Sequence, residues 1–500
     1  MGARAVPEVP LPLVAAGDGQ GGGGAVDQGQ GEVGVEGGDG GDAVGGEEGL
    51  EPGVLPEAAS LPTLQEAHST YIPTHKWPPK AARPEFTRAI ISLWQRIAAN
   101  PEDVRLWVME SIFFRIILPA GQGPTPGDPM SHVRIVKERL RRLNDGQWAE
   151  LWAEAVACEE KKTKQRNRKR RIEKPELSQE EKNAARSVIL TQEGQYTRAL
   201  QALVSNGLAE CTPASLEEMQ KKHPQPHRVQ PPLPTTDVRP CPFDGATVRA
   251  AALSFHKGSA PGPSGMRPEH LQAVLKSTSP VLAEKALVAL MKVVQVMAAG
   301  KVPKAVAPFL SGARLHAGKK KDNSLRPIAV GNLLRRLVSK CFSSALSSRA
   351  AALLSPHQLG VGVRGGCEAI AHAVEEAMKT DPSRWVLQAD LINAYNQTDR
   401  GAMLEEVKQH FPECLEWVKT CYGSPSHLKF GKYSISSSTG LHQGDPLAGL
   451  LFCLVLKPVV DAIQDEVPSL ALNACYLDDM HLVGTIDELA AVVSFPPPTP

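Results

Sequence analysis

The stretch LALNACYLDDMHLV, residues 470–483, contains the pattern on which the fold assignment depends. Two adjacent carboxylates, Asp478 and Asp479, lie between two short apolar runs, which is typical of a strand, a tight turn and a second strand with the acids at the tip. Neighbouring carboxylates repel each other and together can form a binding site for a hard divalent cation. Because acidic turns are also common on protein surfaces, the pattern needs support from the sequence that precedes it.

A third acidic residue provides that support. Asp390 ends the short apolar run 385–390 and precedes Asp478 by 88 residues. A carboxylate at a strand end is partly exposed while its backbone is held, which suits a metal ligand, and this separation fits two neighbouring strands joined by helices. If the three aspartates meet, they can hold two divalent ions, which stabilise the attacking and leaving oxygens of a phosphoryl transfer.

Charge and cysteine content limit the kinds of ligand and cellular compartment that fit this chain. Residues 1–75 contain 12 acidic residues and one basic residue, whereas the whole chain of 500 residues has a formal net charge of +1. The remainder is therefore basic and compatible with a polyanionic ligand. The nine cysteines show no zinc-type spacing and indicate reduced thiols in a reducing compartment. Because no apolar run of about 20 residues exists, we expect no transmembrane helix, and no secretory signal is recognisable.

Composition divides the chain into five segments. We expect disorder in the Gly-rich, acidic residues 1–70, a helical region in 71–221 with its tryptophans in the core, and a Pro-rich linker and domain boundary in 222–243. Residues 244–493 mix helix and strand signals and predict an α+β domain, and 494–500 form a Pro-rich end.

Helix and strand signals within 244–493 are specific. Ser279 and Pro280 supply a helix start and Gly300 its end. Strands are predicted at 308–315, 325–330 and 385–390. Further helices are predicted at 332–354, at 366–379, from Asp445-Pro446 to 466, and after the cap residue Thr485.

The run EEKKTKQRNRKRR, residues 159–171, contains eight basic residues. A solvated helix face explains such a run, and so does a nucleic-acid contact or a nuclear-import signal, so both interpretations stay open. Candidates for nucleic-acid contact are three residues of this run and one lysine of the basic turn 318–323: Lys161, Arg168, Arg170 and Lys319.

Six blocks, in order along the chain, resemble a reverse transcriptase domain of the non-LTR retrotransposon type. They are KGSAPGPSGMRPEHL (257–271), LRPIAVGNLLRRLVSK (325–340), HQLGVGVRGGCEAIAHAV (357–374), LQADLINAYNQTDR (387–400), GLHQGDPLAGLLFCLVL (440–456) and YLDD (476–479). The resemblance implies the palm and fingers of a polymerase right hand, with an antiparallel palm sheet. It also implies an RNA template, a DNA primer, dNTPs and two Mg²⁺ ions, which Mn²⁺ can replace.

The resemblance implies roles for individual residues. The metal-binding catalytic aspartates of the family match three positions: Asp390, Asp478 and Asp479. Tyr395 matches a bulky steric gate that crowds a ribose 2′-OH and so favours deoxynucleotides. Gln443 and Gly444 match the segment that lies against the incoming nucleotide. Arg326 matches a fingers residue that binds the triphosphate, for which a guanidinium is suited.

Departures from the family pattern leave several functions open. The family domain continues after YLDD with a lysine-bearing strand block and a thumb, whereas this sequence ends in Pro-rich residues, so we expect a truncated domain without a thumb. The leading function is RNA-directed DNA polymerase of a retroelement. The alternatives are a catalytically inactive nucleic-acid-binding remnant and, less favoured because of Tyr395, an RNA-directed RNA polymerase. Nuclear localisation is expected from the family and the basic run.

Overall fold

The computed structural model describes residues 55–121, 128, 130–172, 177–226, 231–322 and 324–494. All of these belong to one compact unit. Residues 1–54, which make up most of the segment for which the sequence predicts disorder, lie outside the described ranges. Among the helices that the structure describes, none has the length and apolar character needed to span a bilayer.

The end of the predicted disordered segment is helical, which corrects the boundary at residue 70. Helix α1 spans Leu64–Ser69 and begins at a capping box. The Thr63 hydroxyl accepts a hydrogen bond from the Glu66 amide at 3.1 Å, and the Glu66 carboxylate accepts one from the Thr63 amide at 2.8 Å. Leu61 and Ala67 are buried in the main core. The helix cap and the burial of these two residues offset the chain entropy that is lost on ordering. The preceding Gly-rich sequence has too few apolar residues to offset that loss.

The region up to residue 221 is mainly helical, as its apolar periodicity predicts. After α1 the helices are α2 (Arg83–Ala99), α3 (Val104–Ile117), α4 (Ser131–Asn144), α5 (Trp148–Ile172), α6 (Gln179–Gln192), α7 (Tyr196–Leu203) and α8 (Pro213–Lys221). Trp94, Trp107 and Trp148 are all buried. The prediction that the tryptophans are core residues is therefore confirmed for these three, whereas Trp152 is only partly buried against the core and Trp77 is 38% exposed.

The rest of the chain mixes helices and strands, which confirms the α+β prediction. The helices are α9 (Gly245–Leu253), α10 (Pro268–Leu275), α11 (Pro280–Ala298), α12 (Ala307–Leu310), α13 (Leu333–Leu354), α14 (Gly366–Thr380), α15 (Ala394–Gln397), α16 (Arg400–His410), α17 (Leu415–Tyr422), α18 (Ala448–Glu466) and α19 (Ile486–Ser494). The strands are β1 (Ala313–Lys319), β2 (Leu325–Gly331), β3 (Trp385–Asp390), β4 (Ser426–Phe430), β5 (Tyr433–Ser437), β6 (Leu472–Tyr476) and β7 (Asp479–Gly484).

The strands form two sheets. One has the order β2-β1-β4-β5, with β1 antiparallel to β2 and parallel to β4. The other has the order β3-β7-β6 and is antiparallel throughout. The strand predicted at 308–315 is wrong in its first half, because Pro308 lies in α12 and β1 begins at Ala313. A proline in a first helical turn loses no hydrogen bond there, so the local preference is helical.

The predicted helix signals act as capping interactions. The Ser279 hydroxyl accepts a hydrogen bond from the Leu282 amide at 3.3 Å, and Gly300 follows α11 with a φ of +67°. At the start of α19, Thr485 and Glu488 bond to each other's backbone amides. These caps satisfy amides that have no partner inside the helix.

The Pro-rich segment 222–243 does not separate two domains. One continuous hydrophobic core contains Trp94 of α2, Leu290 of α11 and Trp417 of α17. Phe243, at the end of the segment, is 2% exposed and lies in the same core. Prolines stop the helix pattern, but their restricted backbone loses little entropy on packing, so a Pro-rich segment is not necessarily a free linker.

The shared core predicts cooperative unfolding. Ile90 of α2 is fully buried, so Ile90→Ala is expected to lower the free energy of unfolding of the whole unit by about 2–5 kcal/mol. Chemical denaturation, followed by circular dichroism, measures the change. The matched control is Ile189→Ala in α6, where the side chain is 54% exposed and little change is expected. Two transitions, only one of which moves, would contradict a single core.

Candidate active site

The three aspartates lie at one end of the antiparallel sheet. Tyr476 at the end of β6 pairs with Asp479 at the start of β7, so Leu477 and Asp478 form the turn between them. On its other side β7 pairs with β3, and there Asp390 lies opposite Asp479. Directly opposed residues have Cα atoms about 4.5–5.5 Å apart and side chains on the same face. The predicted strand–turn–strand and the predicted neighbouring strand are both confirmed.

Electrostatics show that these carboxylates act on one another. Burial raises the pKa of Asp478 above its ordinary value, and the charges of Asp479 and Asp390 raise it further. The guanidinium of Arg326, on β2, acts in the opposite direction. The turn therefore collects negative charge that a cation would stabilise, and a basic residue of the other sheet already faces it.

The donor atoms fit a hard divalent cation, since carboxylate oxygens are the ligands that Mg²⁺ and Mn²⁺ prefer. Asp390 and Asp479 are exposed, and Asp478 is half-buried. Within the described ranges, no three His, Cys, Asp or Glu side chains already converge as a set of metal ligands. The backbone therefore brings the three aspartates to one place, while their side chains do not form a closed cage.

Tyr395, on α15, lies near the aspartates. Its ring stacks on Phe452 of α18, with centroids 5.0 Å apart and planes 22° from parallel. Burial raises the pKa of the Tyr395 phenol, and the nearby Cys453 and Asp478 raise it further. The predicted gate residue is thus a half-buried aromatic whose orientation is set by α18, close to the acidic turn.

Gln443 and Gly444 pack against the strand that carries Arg326. The Ala329 amide of β2 donates a hydrogen bond to the Gln443 carbonyl at 3.1 Å. Gly444 has a φ of +127°, and a Cβ at this position would lie 2.6 Å from the Ala329 carbonyl oxygen. A side chain at position 444 would therefore collide with β2, so this close approach of the two backbones requires glycine.

Residues 318–492 match the family described as "Reverse transcriptase (RNA-dependent DNA polymerase)". This range includes the three aspartates, Tyr395, Gln443, Gly444 and Arg326. The chain therefore carries a reverse transcriptase domain.

Among the known proteins that are similar to parts of this chain are a transposon protein and a telomerase. A curated relative is the "Transposon TX1 uncharacterized 149 kDa protein" of Xenopus laevis, 24% identical over 32% of this chain. The match spans only 14% of that protein's length. A solved structure, apo telomerase from Candida tropicalis truncated from the C-terminal domain, is 12% identical with a TM-score of 0.28. The match covers 37% of this chain and 46% of the telomerase chain.

A buried ion pair, which the sequence analysis missed, holds the loop after Gly444 in the reverse transcriptase domain. The Asp445 carboxylate accepts hydrogen bonds from Arg335 of α13 and from the Tyr422 hydroxyl, both at 2.8 Å. Both charged side chains are nearly inaccessible to solvent. Burial alone would lower the pKa of Arg335, but the Asp445 charge raises it above its ordinary value. Asp445 also accepts a bond from the Leu447 amide, and helix α18 begins at Ala448, shortly after the predicted start at Asp445-Pro446.

His442 joins the same network as a neutral imidazole. Its Nδ1 accepts a hydrogen bond from Arg335 at 2.7 Å, which excludes a proton on that nitrogen because arginine only donates. Burial lowers the pKa of His442 well below its ordinary value, and Arg335 and Arg400 lower it further. Arg400 donates to the Gly440 carbonyl at 2.9 Å. A basic residue in an otherwise apolar helix pattern, as at Arg335, was the available signal for this network.

Three of the four candidate nucleic-acid contacts are exposed, and the structure does not test their role. Lys319 is exposed at the end of β1, and its amide donates to the Gly207 carbonyl at 3.1 Å. Lys161 and Arg168 are exposed on α5, which continues through the basic run to residue 172. The side chain of Arg170 lies outside the described part of the chain. Their roles stay predictions.

Gly444→Ala is expected to destabilise the domain and to displace Gln443. The added Cβ meets both an unfavourable backbone conformation and the Ala329 oxygen, for a combined cost of about 2–4 kcal/mol. The matched control is Gly194→Ala, where φ is +74° but nothing lies within 4 Å of the added Cβ, so about 1 kcal/mol is expected. Urea denaturation compares the two. Equal losses would show that the approach to β2 is unimportant.

Proposed function

We propose that this chain acts as an RNA-directed DNA polymerase of a retroelement. The observation that carries the proposal is the strand register that sets Asp390 opposite Asp479, next to the Asp478 turn, inside a reverse transcriptase domain. Three carboxylates at one exposed sheet end suit phosphoryl transfer, which asks a protein mainly for positioning and charge neutralisation. The three-stranded sheet would be the palm, and the β1–β2 hairpin would belong to the fingers.

In this proposal Asp390, Asp478 and Asp479 hold two divalent ions, Mg²⁺ or Mn²⁺. When bound, such a metal pair supplies charge stabilisation to the attacking and leaving oxygens of an in-line transfer. Burial and the charges of Asp479 and Asp390 raise the pKa of Asp478, and this concentration of negative charge favours a cation at this position. Arg326, which already acts on Asp478, would bind the triphosphate with its planar guanidinium.

The other site residues would orient the nucleotide. Gln443 and Gly444 would lie against the incoming base and sugar, because β2 and the buried Arg335–Asp445 pair hold their backbone from two sides. Tyr395 would crowd a ribose 2′-OH, since its ring is fixed against Phe452 and cannot swing away without losing that stacking. This arrangement favours dNTPs over ribonucleotides.

The proposed ligands are an RNA template and a DNA primer. The basic residues Lys319, Lys161, Arg168 and Arg170 are the proposed contacts to their phosphates, which makes binding dependent on salt. Nuclear localisation remains a proposal from the basic run and the family resemblance. The chain spans a small fraction of its curated relative, so the activity of the longer protein is also part of the proposal.

Primer extension tests the proposed function. The purified chain is offered a primed RNA template with Mg²⁺ and either dNTPs or NTPs. Extension with dNTPs is expected, and Asp478→Ala and Asp479→Ala are each expected to reduce it at least about 100-fold, because metal-assisted charge stabilisation contributes several kcal/mol. The matched control is Asp461→Ala on the surface of α18, where the carboxylate pairs with Lys457 and full extension is expected.

The outcomes separate the alternatives. Extension with NTPs rather than dNTPs would indicate an RNA-directed RNA polymerase. No extension by any variant, with salt-sensitive RNA binding retained, would indicate an inactive nucleic-acid-binding protein.

Sugar selection tests the role of Tyr395. Tyr395→Val removes the ring and is expected to raise the efficiency of rNTP incorporation relative to dNTP incorporation about 10–100-fold, as the loss of one steric contact does. Tyr395→Phe keeps the ring on Phe452 and should preserve discrimination. Steady-state kcat/KM for dCTP and CTP on the same template measures the ratio. The role as a gate is refuted if both variants behave like the wild type.

A further inference from the structure

Leu477, in the turn of the acidic hairpin, has an unusual backbone conformation. Its φ is +57°, in the left-handed region. Apart from Asn393, no other non-glycine residue in the described ranges has a positive φ. Asparagine tolerates this conformation because its short polar side chain bonds locally, whereas a leucine Cβ crowds the following carbonyl. The turn that presents Asp478 and Asp479 therefore needs support from outside itself.

The side chain of Gln358 supplies that support. Its Oε1 accepts a hydrogen bond from the Leu477 amide at 2.7 Å, and its Nε2 donates one to the Leu477 carbonyl at 3.0 Å. Oε1 also accepts from the Gly360 amide at 3.0 Å. Because an amide nitrogen cannot accept from these two N–H groups, the pattern determines which way the Gln358 amide points. One side chain thus satisfies both backbone groups of the strained residue.

Gln358 is itself held rigidly. It is 5% exposed. The Leu359 amide donates to the Cys475 carbonyl at 2.8 Å, and the Cys475 amide donates to the His357 carbonyl at 2.7 Å, so the segment around Gln358 pairs with β6. Gly360 completes the fit, because a Cβ there would lie 2.6 Å from the Leu477 nitrogen. The segment and the turn are therefore positioned by direct backbone bonds.

We infer that Gln358 is a positioning residue for the metal-binding aspartates. By bonding Leu477 on both sides, it keeps the turn left-handed, and the carboxylates on the next two residues are thereby aimed at the end of β3 where Asp390 lies. Nothing in the sequence pattern or the family match assigns this role. The expected effect on catalysis rests on the proposed function, whereas the structural link between Gln358 and the turn is independent of it.

Hydrogen–deuterium exchange tests the link without requiring activity. Gln358→Met keeps the side-chain length and removes all three hydrogen bonds. Its expected effect is about tenfold faster exchange of the Leu477 and Gly360 amides, the factor that corresponds to the loss of one hydrogen bond. The matched control is Gln295→Met in α11, because Gln295 also donates to a backbone carbonyl, that of Phe243 at 3.3 Å. It should leave exchange in residues 473–481 unchanged.

Primer extension at varied Mg²⁺ measures the functional consequence. Gln358→Met should raise the Mg²⁺ concentration for half-maximal extension about tenfold and leave the affinity for primer–template unchanged, because only the aspartate turn is loosened. If the wild-type chain extends no primer, the proposed polymerase function fails, and the exchange experiment still decides the role of Gln358.

Two results would overturn the inference. One is unchanged exchange in residues 473–481 of Gln358→Met, and the other is faster exchange throughout the unit, α11 included, which would indicate a general effect on stability. If Gln358→Met does not fold, Gln358→Asn replaces it. The shorter polar side chain cannot reach both groups of Leu477, and the same local increase in exchange is expected.

Discussion

Three carboxylates at one end of a small sheet repel each other, and the rest of the domain has to hold them there. Strand β7 holds the carboxylates in place because its side chains alternate between the two faces of the sheet. Met480 and Leu482 are buried in the main core, so Asp479 and His481 project to the opposite face. Cross-strand pairing with β3 then puts Asp390 on the same face as Asp479. The apolar side of β7 thus offsets the electrostatic cost of its acidic end, where burial and the neighbouring carboxylates both raise the pKa of Asp478.

The loop that carries Gln443 and Gly444 is held by a different kind of interaction. A buried charge is costly unless it is paired, and a buried pair contributes little net stability compared with apolar packing. The Arg335–Asp445 pair is better understood as a source of specificity, since its hydrogen bonds have directions. Through His442 and Tyr422 it connects α13 and α17 with the loop that carries Gln443 and Gly444. The acidic turn and the loop that carries Gln443 and Gly444 are therefore both fixed to the same scaffold.

The helical N-terminal region contributes to that scaffold. Helices α1–α5 share one core with the reverse transcriptase domain, and Phe114 of α3 stacks on His270 of α10 with centroids 5.1 Å apart. The Pro-rich stretch between the two regions looks like a linker in sequence, because proline ends helical periodicity. In the fold its end is buried at Phe243, so a composition change in this chain marks a change of secondary structure within one unit.

Local pattern was enough to predict much of this protein. The acidic hairpin, the helix starts at Ser279 and Thr485, and the strand that ends at Asp390 all depend on neighbouring residues, whose spacing and capping chemistry are visible in the sequence. The roles assigned to the aspartates, Tyr395, Gln443, Gly444 and Arg326 came from family resemblance and remain proposals. The strand predicted at Pro308 is wrong because a proline in a first turn favours a helix there. Packing, rather than composition, decided that the end of segment 222–243 lies in a shared core.

Only the tertiary structure revealed which distant residues hold the site. Gln358 lies 119 positions from Leu477, and Arg335 lies 110 positions from Asp445, and in sequence each is an ordinary polar residue. Hydrogen bonds of this kind depend on distances of about 3 Å between atoms that only the complete fold brings together. The sequence by itself determined the acidic turn and the strands around it. Tertiary structure decided what keeps that turn in its strained conformation, since burial and pairing are properties of the folded chain.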